Sequence, residues 1–260
     1  MNLIFGAILW IFDPTHWVAG SQSPLPIQDR LAEHLFYTFV SVLVAALIAL
    51  PLGFYIGHTG KGRQFVISFT GAMRALPTLG VLFFLTMVLG YSMVSTTAVF
   101  VGTMIALVLL AIPSILAGAY SGLESVDRQT IDSARASGMT EMQILTKVEI
   151  PLSLPLIIGG LRAGVLQVIA TVVIASYVGL GGLGRIIASG IGLNDYDRIL
   201  GGAILITALA LMIDGVFAVI QRLTATPGVG STRQTERQSL RRRAPGPSST
   251  VGTPIQERES

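Results

Sequence analysis

The chain has 260 residues, 52% of them hydrophobic and 12% charged. A soluble domain carries about a quarter charged residues; half that supply, with a mean hydropathy of +0.71, excludes an ordinary soluble protein and indicates an integral membrane one. The absence of cysteine excludes disulfide frameworks, thiolate metal sites and cysteine nucleophiles.

In chain order, the first apolar run is Leu3–Phe12, LIFGAILWIF. Ten residues reach only about 15 Å as a helix. No basic residue precedes the run and no small-residue cleavage site clearly follows, so it reads as an interfacial or partly inserted segment with Trp10 and Trp17 near the headgroups. Five longer runs, 36–57, 65–90, 97–117, 152–176 and 200–220, meet the roughly 20 apolar residues that a spanning helix needs. None alternates with period two, and lipid leaves open sheet edges unsatisfied, so all five are predicted helical. Pro77 and Pro113 should kink their spans. Gly160-x-x-x-Gly164 reads as a helix-packing stripe.

Orientation follows from the cations. One face collects Lys61, Arg63, Arg128, Arg135, Lys147 and seven arginines after Gln221, while the other has Arg30, Arg185 and Arg198. The richer face is predicted cytoplasmic, with the C-terminus inside and the N-terminus outside. The basic pI near 9.5 is thereby explained by topology rather than by a nucleic-acid partner. From Thr224 the chain is rich in Ser, Thr, Pro, Gly and Arg without aromatics, a composition that cannot bury enough apolar surface to fold alone. The expected organisation is an external or interfacial segment at 1–30, a transmembrane domain at 31–223 and a basic, disordered cytoplasmic tail at 224–260.

Most connections between spans are short; 122–151 is the exception. Ile131, Ala134 and Gly138 fall on helical spacing before the glycine interrupts. A second amphipathic stretch, 141–150, is expected to stop at Pro151. Two short helices meeting at a glycine, with a small apolar face beside charges, suit docking to a soluble partner.

Here the sequence resembles a known family. Asp132-Ser133-Ala134-xxx-Gly138, nine residues, then Val148-x-Ile150-Pro151 is similar to the EAA loop of bacterial ABC importer permeases, which reads E-A-A-xxx-G-x9-I-x-L-P. Asp, Ser, Val and Ile replace Glu, Ala, Ile and Leu; the second Ala, the Gly and the Pro are unchanged. Arg74-Ala75-Leu76-Pro77-Thr78, the run from Ala134 to Thr140 and Gly179-Leu180-Gly181-Gly182-Leu183-Gly184 look like the permeases of osmoprotectant importers, which carry glycine betaine, choline, carnitine or proline betaine. The resemblance covers roughly residues 30–223.

What it implies is an all-α type I importer bundle of five core helices, a sixth N-terminal segment being short, with a cytoplasmic coupling helix in the bacterial plasma membrane. It implies no catalytic residue and no cofactor on this chain: ATP and Mg belong to two cytosolic ATPase subunits. A second permease copy or paralogue and an external solute-binding protein complete the assembly, with membrane lipids around it. Asp132, Ser133, Ala134, Arg135, Gly138, Met139, Met142, Val148, Ile150 and Pro151 would form the coupling loop. Ala134 and Gly138 would allow close approach, Asp132 and Arg135 would make rim contacts, and Met139 and Met142 would repack as the ATPase groove moves.

Arg74, Arg162 and Asp214 lie within spans, at about 16, 16 and 12 Å from the cytoplasmic ends by helical rise. Charges there face a cavity or one another, so Asp214 is expected to pair with Arg162 or Arg74 at the inner end of the pathway. Gly179, Gly181, Gly182 and Gly184 spell a dinucleotide fingerprint, but they follow a span with no βαβ unit; the reading is a tight or re-entrant external gate loop. His16, His34 and His58 are read as lying outside the spans, without metal-ligand spacing, and Asn194-Asp195-x-Asp197 as a solvated turn. The alternatives are the same machinery for another small polar solute, such as an amino acid or a betaine-like thiol compound, or an ion-coupled carrier, which would be expected to show repeats or more intramembrane acids.

Overall fold

The computed structural model describes residues 3–18, 26–92 and 94–224. Helix α1 is Leu3–Phe12, as long as its apolar run, followed by a short 3₁₀ turn at Pro14–His16. Helix α2, Ile27–Thr59, begins nine residues before the apolar run at Phe36 and carries Pro51 inside it. Helix α5, Ser95–Glu124, continues through Pro113.

The run 65–90 is not one straight span. It forms α3, Arg63–Ala75, and α4, Thr78–Gly90, set at 86° to one another. The residue before a proline is pushed from the helical to the extended region; Leu76 sits at φ −69°, ψ 131° and Pro77 is extended too. Each 13-residue piece reaches about 20 Å, short of a 30 Å core. Among the described residues, four single helices are long and apolar enough to cross a membrane, and the bent pair makes up to five.

The second amphipathic stretch also departs from expectation, because Pro151 does not stop it. Helix α7, Glu141–Ile144, passes through a π-turn at Leu145–Glu149 directly into α8, Ile150–Ala175. Proline lacks an N–H and its ring crowds the carbonyl four residues back. The wide turn accommodates both, and the Ile150 N–H reaches back five residues to the Leu145 carbonyl. Helix α6, Arg128–Ala136, precedes α7; α9, Gly184–Leu193, and α10, Tyr196–Thr224, follow α8. The tail beyond Thr224 lies outside the described residues.

The packed centre lies among α2, α5 and α8, where Ala45, Ala49, Leu107, Ala111, Ile115, Val168 and Val172 are buried. Lipid removes most hydrophobic drive between helices, so close backbone approach must hold them. A Cβ on Gly118 would sit 2.5 Å from the Gly160 Cα, and one on Gly164 would meet Ile115 at 2.9 Å; the Gly160–Gly164 stripe is the α5–α8 contact. α10 is different. Its buried residues are Arg198, Gly201, Gly202 and Leu209, while Leu211, Met212, Val216 and Val219 are exposed. α1 rests on α10, with Trp10 against Gly201.

Candidate functional site

The hairpin between α5 and α8 is built by local chemistry. α6 has no buried residue. It ends in a Schellman motif: the Gly138 N–H reaches the Arg135 carbonyl at 3.0 Å and the Met139 N–H the Ala134 carbonyl at 3.3 Å. This requires Gly138 at φ +83°, in the left-handed region that glycine adopts at no steric cost. Thr140 then starts α7 with a capping box, its own N–H donating to Gln143 Oε1 at 2.9 Å.

Asp132 and Arg135 face each other rather than standing apart. Arg135 donates to Asp132 at 3.0 Å and forks onto Glu141 at 2.8 and 3.1 Å, tying α6 to α7 across the glycine. The Glu141 carboxylate raises the Arg135 pKa above its ordinary value, chiefly through that hydrogen bond. Ser133 bonds back to the Gln129 carbonyl and Met142 is 68% exposed, while Ala134, Met139, Val148 and Ile150 are half-buried. The outer face of the hairpin is thus exposed and carries an apolar methionine beside charges, a combination that suits contact with a protein.

Sequence reasoning missed what anchors this hairpin. His58, in the last turn of α2, meets Glu149 at 2.5 Å through Nδ1 and faces Glu141 at 3.5 Å through Nε2. Glu149, the last residue of the π-turn, is buried. Arg63 and Glu124 pair at 3.0 Å beside it, and a cleft of about 220 Å³ runs between these groups and α6. An acid at the end of an amphipathic stretch and a histidine at the end of a span carried no signal of being neighbours.

Of the membrane charges, Asp214 on α10 takes two hydrogen bonds from Arg162 on α8, Nε at 2.6 Å and Nη2 at 2.7 Å. The geometry is bidentate, the strong form of this pair. Arg74 is not its partner: it is exposed in the last turn of α3, beside the 86° break, and pairs with no described residue.

The glycine loop is tight and is tied to α2. Gly182, at φ +87°, gives its N–H to Glu33 at 2.8 Å, and Glu33 also accepts from Arg30 at 2.8 Å. Gly179 closes the turn after α8, a Cβ on Gly181 would overlap Glu33, and one on Gly184 would meet the Val173 carbonyl at 2.6 Å. His34 is fully buried behind Gly182. It sits in the second turn of α2, which starts well before its apolar run. Asp195 bonds the Arg198 N–H at 3.1 Å, and no group of three metal-ligating side chains occurs among the described residues.

A bundle of membrane-length helices, with an exposed helical hairpin inserted between two of them, is the architecture of a multi-pass membrane protein. The chain belongs to the family of binding-protein-dependent transport system inner membrane components, matching over residues 49–226, and is thus a multi-pass inner-membrane protein. It is 32% identical to the glycine betaine/carnitine/choline transport system permease protein OpuCB of Bacillus subtilis, over 79% of this chain and 91% of that one. It is 37% identical to the carnitine transport permease protein OpuCB of Listeria monocytogenes, over 70% and 80%. The choline transport system permease protein OpuBB of Bacillus subtilis is 32% identical over 76% and 88%. Among solved structures, a chain of the inward-facing MetNI methionine ABC transporter shares the fold, with a TM-score of 0.68 at 22% identity over 82% of this chain and 99% of that one.

Proposed function

We propose that this chain is the permease subunit of an ABC importer for quaternary-amine osmoprotectants such as glycine betaine, choline and carnitine. An external binding protein delivers the solute, and a pair of cytosolic ATPase subunits, docked on the hairpin of each of two permease copies, supplies the energy. The hairpin and the C-terminal tail face the cytoplasm, in line with the excess of Lys and Arg on that side. ATP-driven closing of the ATPase pair pushes α6 and α7, and the push passes into α8 because α7 and α8 are one continuous helix.

The observation that carries this reading is the hairpin: a helix with no buried face, ended at Gly138 and cross-braced by Arg135, standing between two core spans. The named solutes of the relatives support the substrate class.

The test is co-purification of the ATPase from membranes with wild type and Gly138→Asp. A Cβ at Gly138 meets nothing within 4 Å, so Asp adds no clash, and the strain of a non-glycine residue at φ +83° falls on the turn between α6 and α7 rather than on the packed helices. Loss of the ATPase in a folded variant is the expected result, together with wild-type uptake of labelled glycine betaine, carnitine or choline into vesicles holding the complex. A wild-type chain that captures no ATPase would defeat the proposal.

A further inference from the structure

At the end of the bundle opposite the hairpin, three arginines from three helices line one cleft of about 500 Å³. They are Arg30 of α2, Arg185 of α9 and Arg198 of α10, with Ser189 and Leu193 beside them, and no carboxylate lines the cleft among the described residues. The Arg198 side chain is 9% exposed, yet its Nε and Nη1, like the Nε of Arg30, have no hydrogen-bond partner among the described residues. Asp195 lies 3.6 Å from the Arg198 Nε, close enough to offset charge without a hydrogen bond, and the guanidinium stands 6.0 Å from the Trp10 ring. Arg30 gives one N–H to Glu33, and Arg185 reaches the Ser176 carbonyl at 3.3 Å.

Each guanidinium carries five N–H donors, so much of this donor capacity is unspent. Burying such a cation is costly unless its hydrogen bonds are met, and the group that meets a guanidinium fork best is an oxyanion. The rim narrows the choice. Leu193 lines the cleft and is 66% exposed, and Ile191 on the same helix and Tyr196 at the start of α10 are exposed as well, an apolar surface that a small ion does not use, with tyrosine typical of the headgroup level.

We propose that this cleft holds the phosphate of a phospholipid headgroup, with the acyl chains lying along Leu193 and Ile191. The inference rests on the three guanidiniums and the adjoining apolar rim, and is independent of which solute is transported. An inorganic phosphate would engage the arginines alone and a neutral lipid the rim alone, which separates the sources.

The experiment is thermal unfolding of the purified full-length complex in detergent against added phosphatidylglycerol, diacylglycerol or inorganic phosphate, for wild type, R185Q and R198Q. Phosphatidylglycerol should stabilise the wild type, and the amount needed should rise about tenfold in each variant, the loss of one charged hydrogen bond. Arg185 is exposed, so R185Q decides the matter even where R198Q fails to fold. The proposal is overturned if R185Q leaves the phosphatidylglycerol dependence unchanged. It is equally overturned if inorganic phosphate or diacylglycerol stabilises as well as the phospholipid at equal concentration.

Discussion

Glu149 is an acid with almost no solvent, and its partner is a histidine from a helix 91 positions earlier in the chain. Removing His58 leaves that carboxyl buried without its hydrogen bond, at a cost of about 1–3 kcal/mol. His58→Ala should therefore lower the unfolding temperature clearly, and Glu149→Gln should lose much of its own effect in the His58→Ala background. Additive effects in a double-mutant cycle would show that the two do not act as a unit. The same joint ties the hairpin to α2, so His58→Ala should also reduce solute moved per ATP hydrolysed in the reconstituted complex; an unchanged ratio would restrict His58 to stability. Arg162 and Asp214, each about a third exposed, form the second residue-scale pair. The two should couple in a double-mutant cycle of Arg162→Ala and Asp214→Ala, because removing either leaves the other without its bidentate partner within a span. Arg74→Ala, by contrast, should show no coupling to Asp214→Ala.

Between elements, the contact that decides the bundle is the α5–α8 approach. Gly118 and Gly160 have no room for a side chain, and overpacking a well-packed contact costs about 1–3 kcal/mol or more. Gly118→Leu and Gly160→Leu should each destabilise the chain in detergent, and a double variant should cost less than their sum because both damage one interface. Gly71→Ala serves as the comparison: no atom lies within 4 Å of the place its methyl group would take, and removing a glycine from a helix favours the helix by about 0.5–1 kcal/mol. A Gly118→Leu protein as stable as wild type would mean that α5 and α8 do not meet there. The broken α3–α4 pair and the π-turn before α8 have a common origin in proline, which in the first case ends a helix and in the second is absorbed by widening one turn.

For the molecule as a whole, the two ends of the bundle are chemically distinct. One carries the exposed hairpin and its anchoring network of His58, Glu149, Glu141, Arg135 and Asp132. The other carries the glycine loop pinned by Glu33, the buried His34 and the three-arginine cleft. α7 and α8, continuous through the π-turn, run as one helix from the hairpin to the start of the glycine loop. Where α10 leaves Leu211, Met212 and Val216 exposed, the surface is suited to lipid or a second copy.

The sequence alone determined the class, the membrane helices and the hairpin, because each is written in local terms: apolar run length, helical spacing, a glycine where the chain must turn, and a motif of fixed spacing. It pointed to Asp214 and a basic partner because a lone charge in an apolar run demands one, but it left both Arg162 and Arg74 open as that partner. Depth along a helix can be counted from the chain; direction around the helix relative to its neighbours cannot. The tertiary structure decided which arginine faces Asp214, that Pro77 divides a span at 86° while Pro151 merely widens a turn, and that His58 meets Glu149. Those outcomes depend on how helices rotate and cross once glycines such as Gly118 and Gly160 bring their backbones together, and that is settled by packing between distant segments.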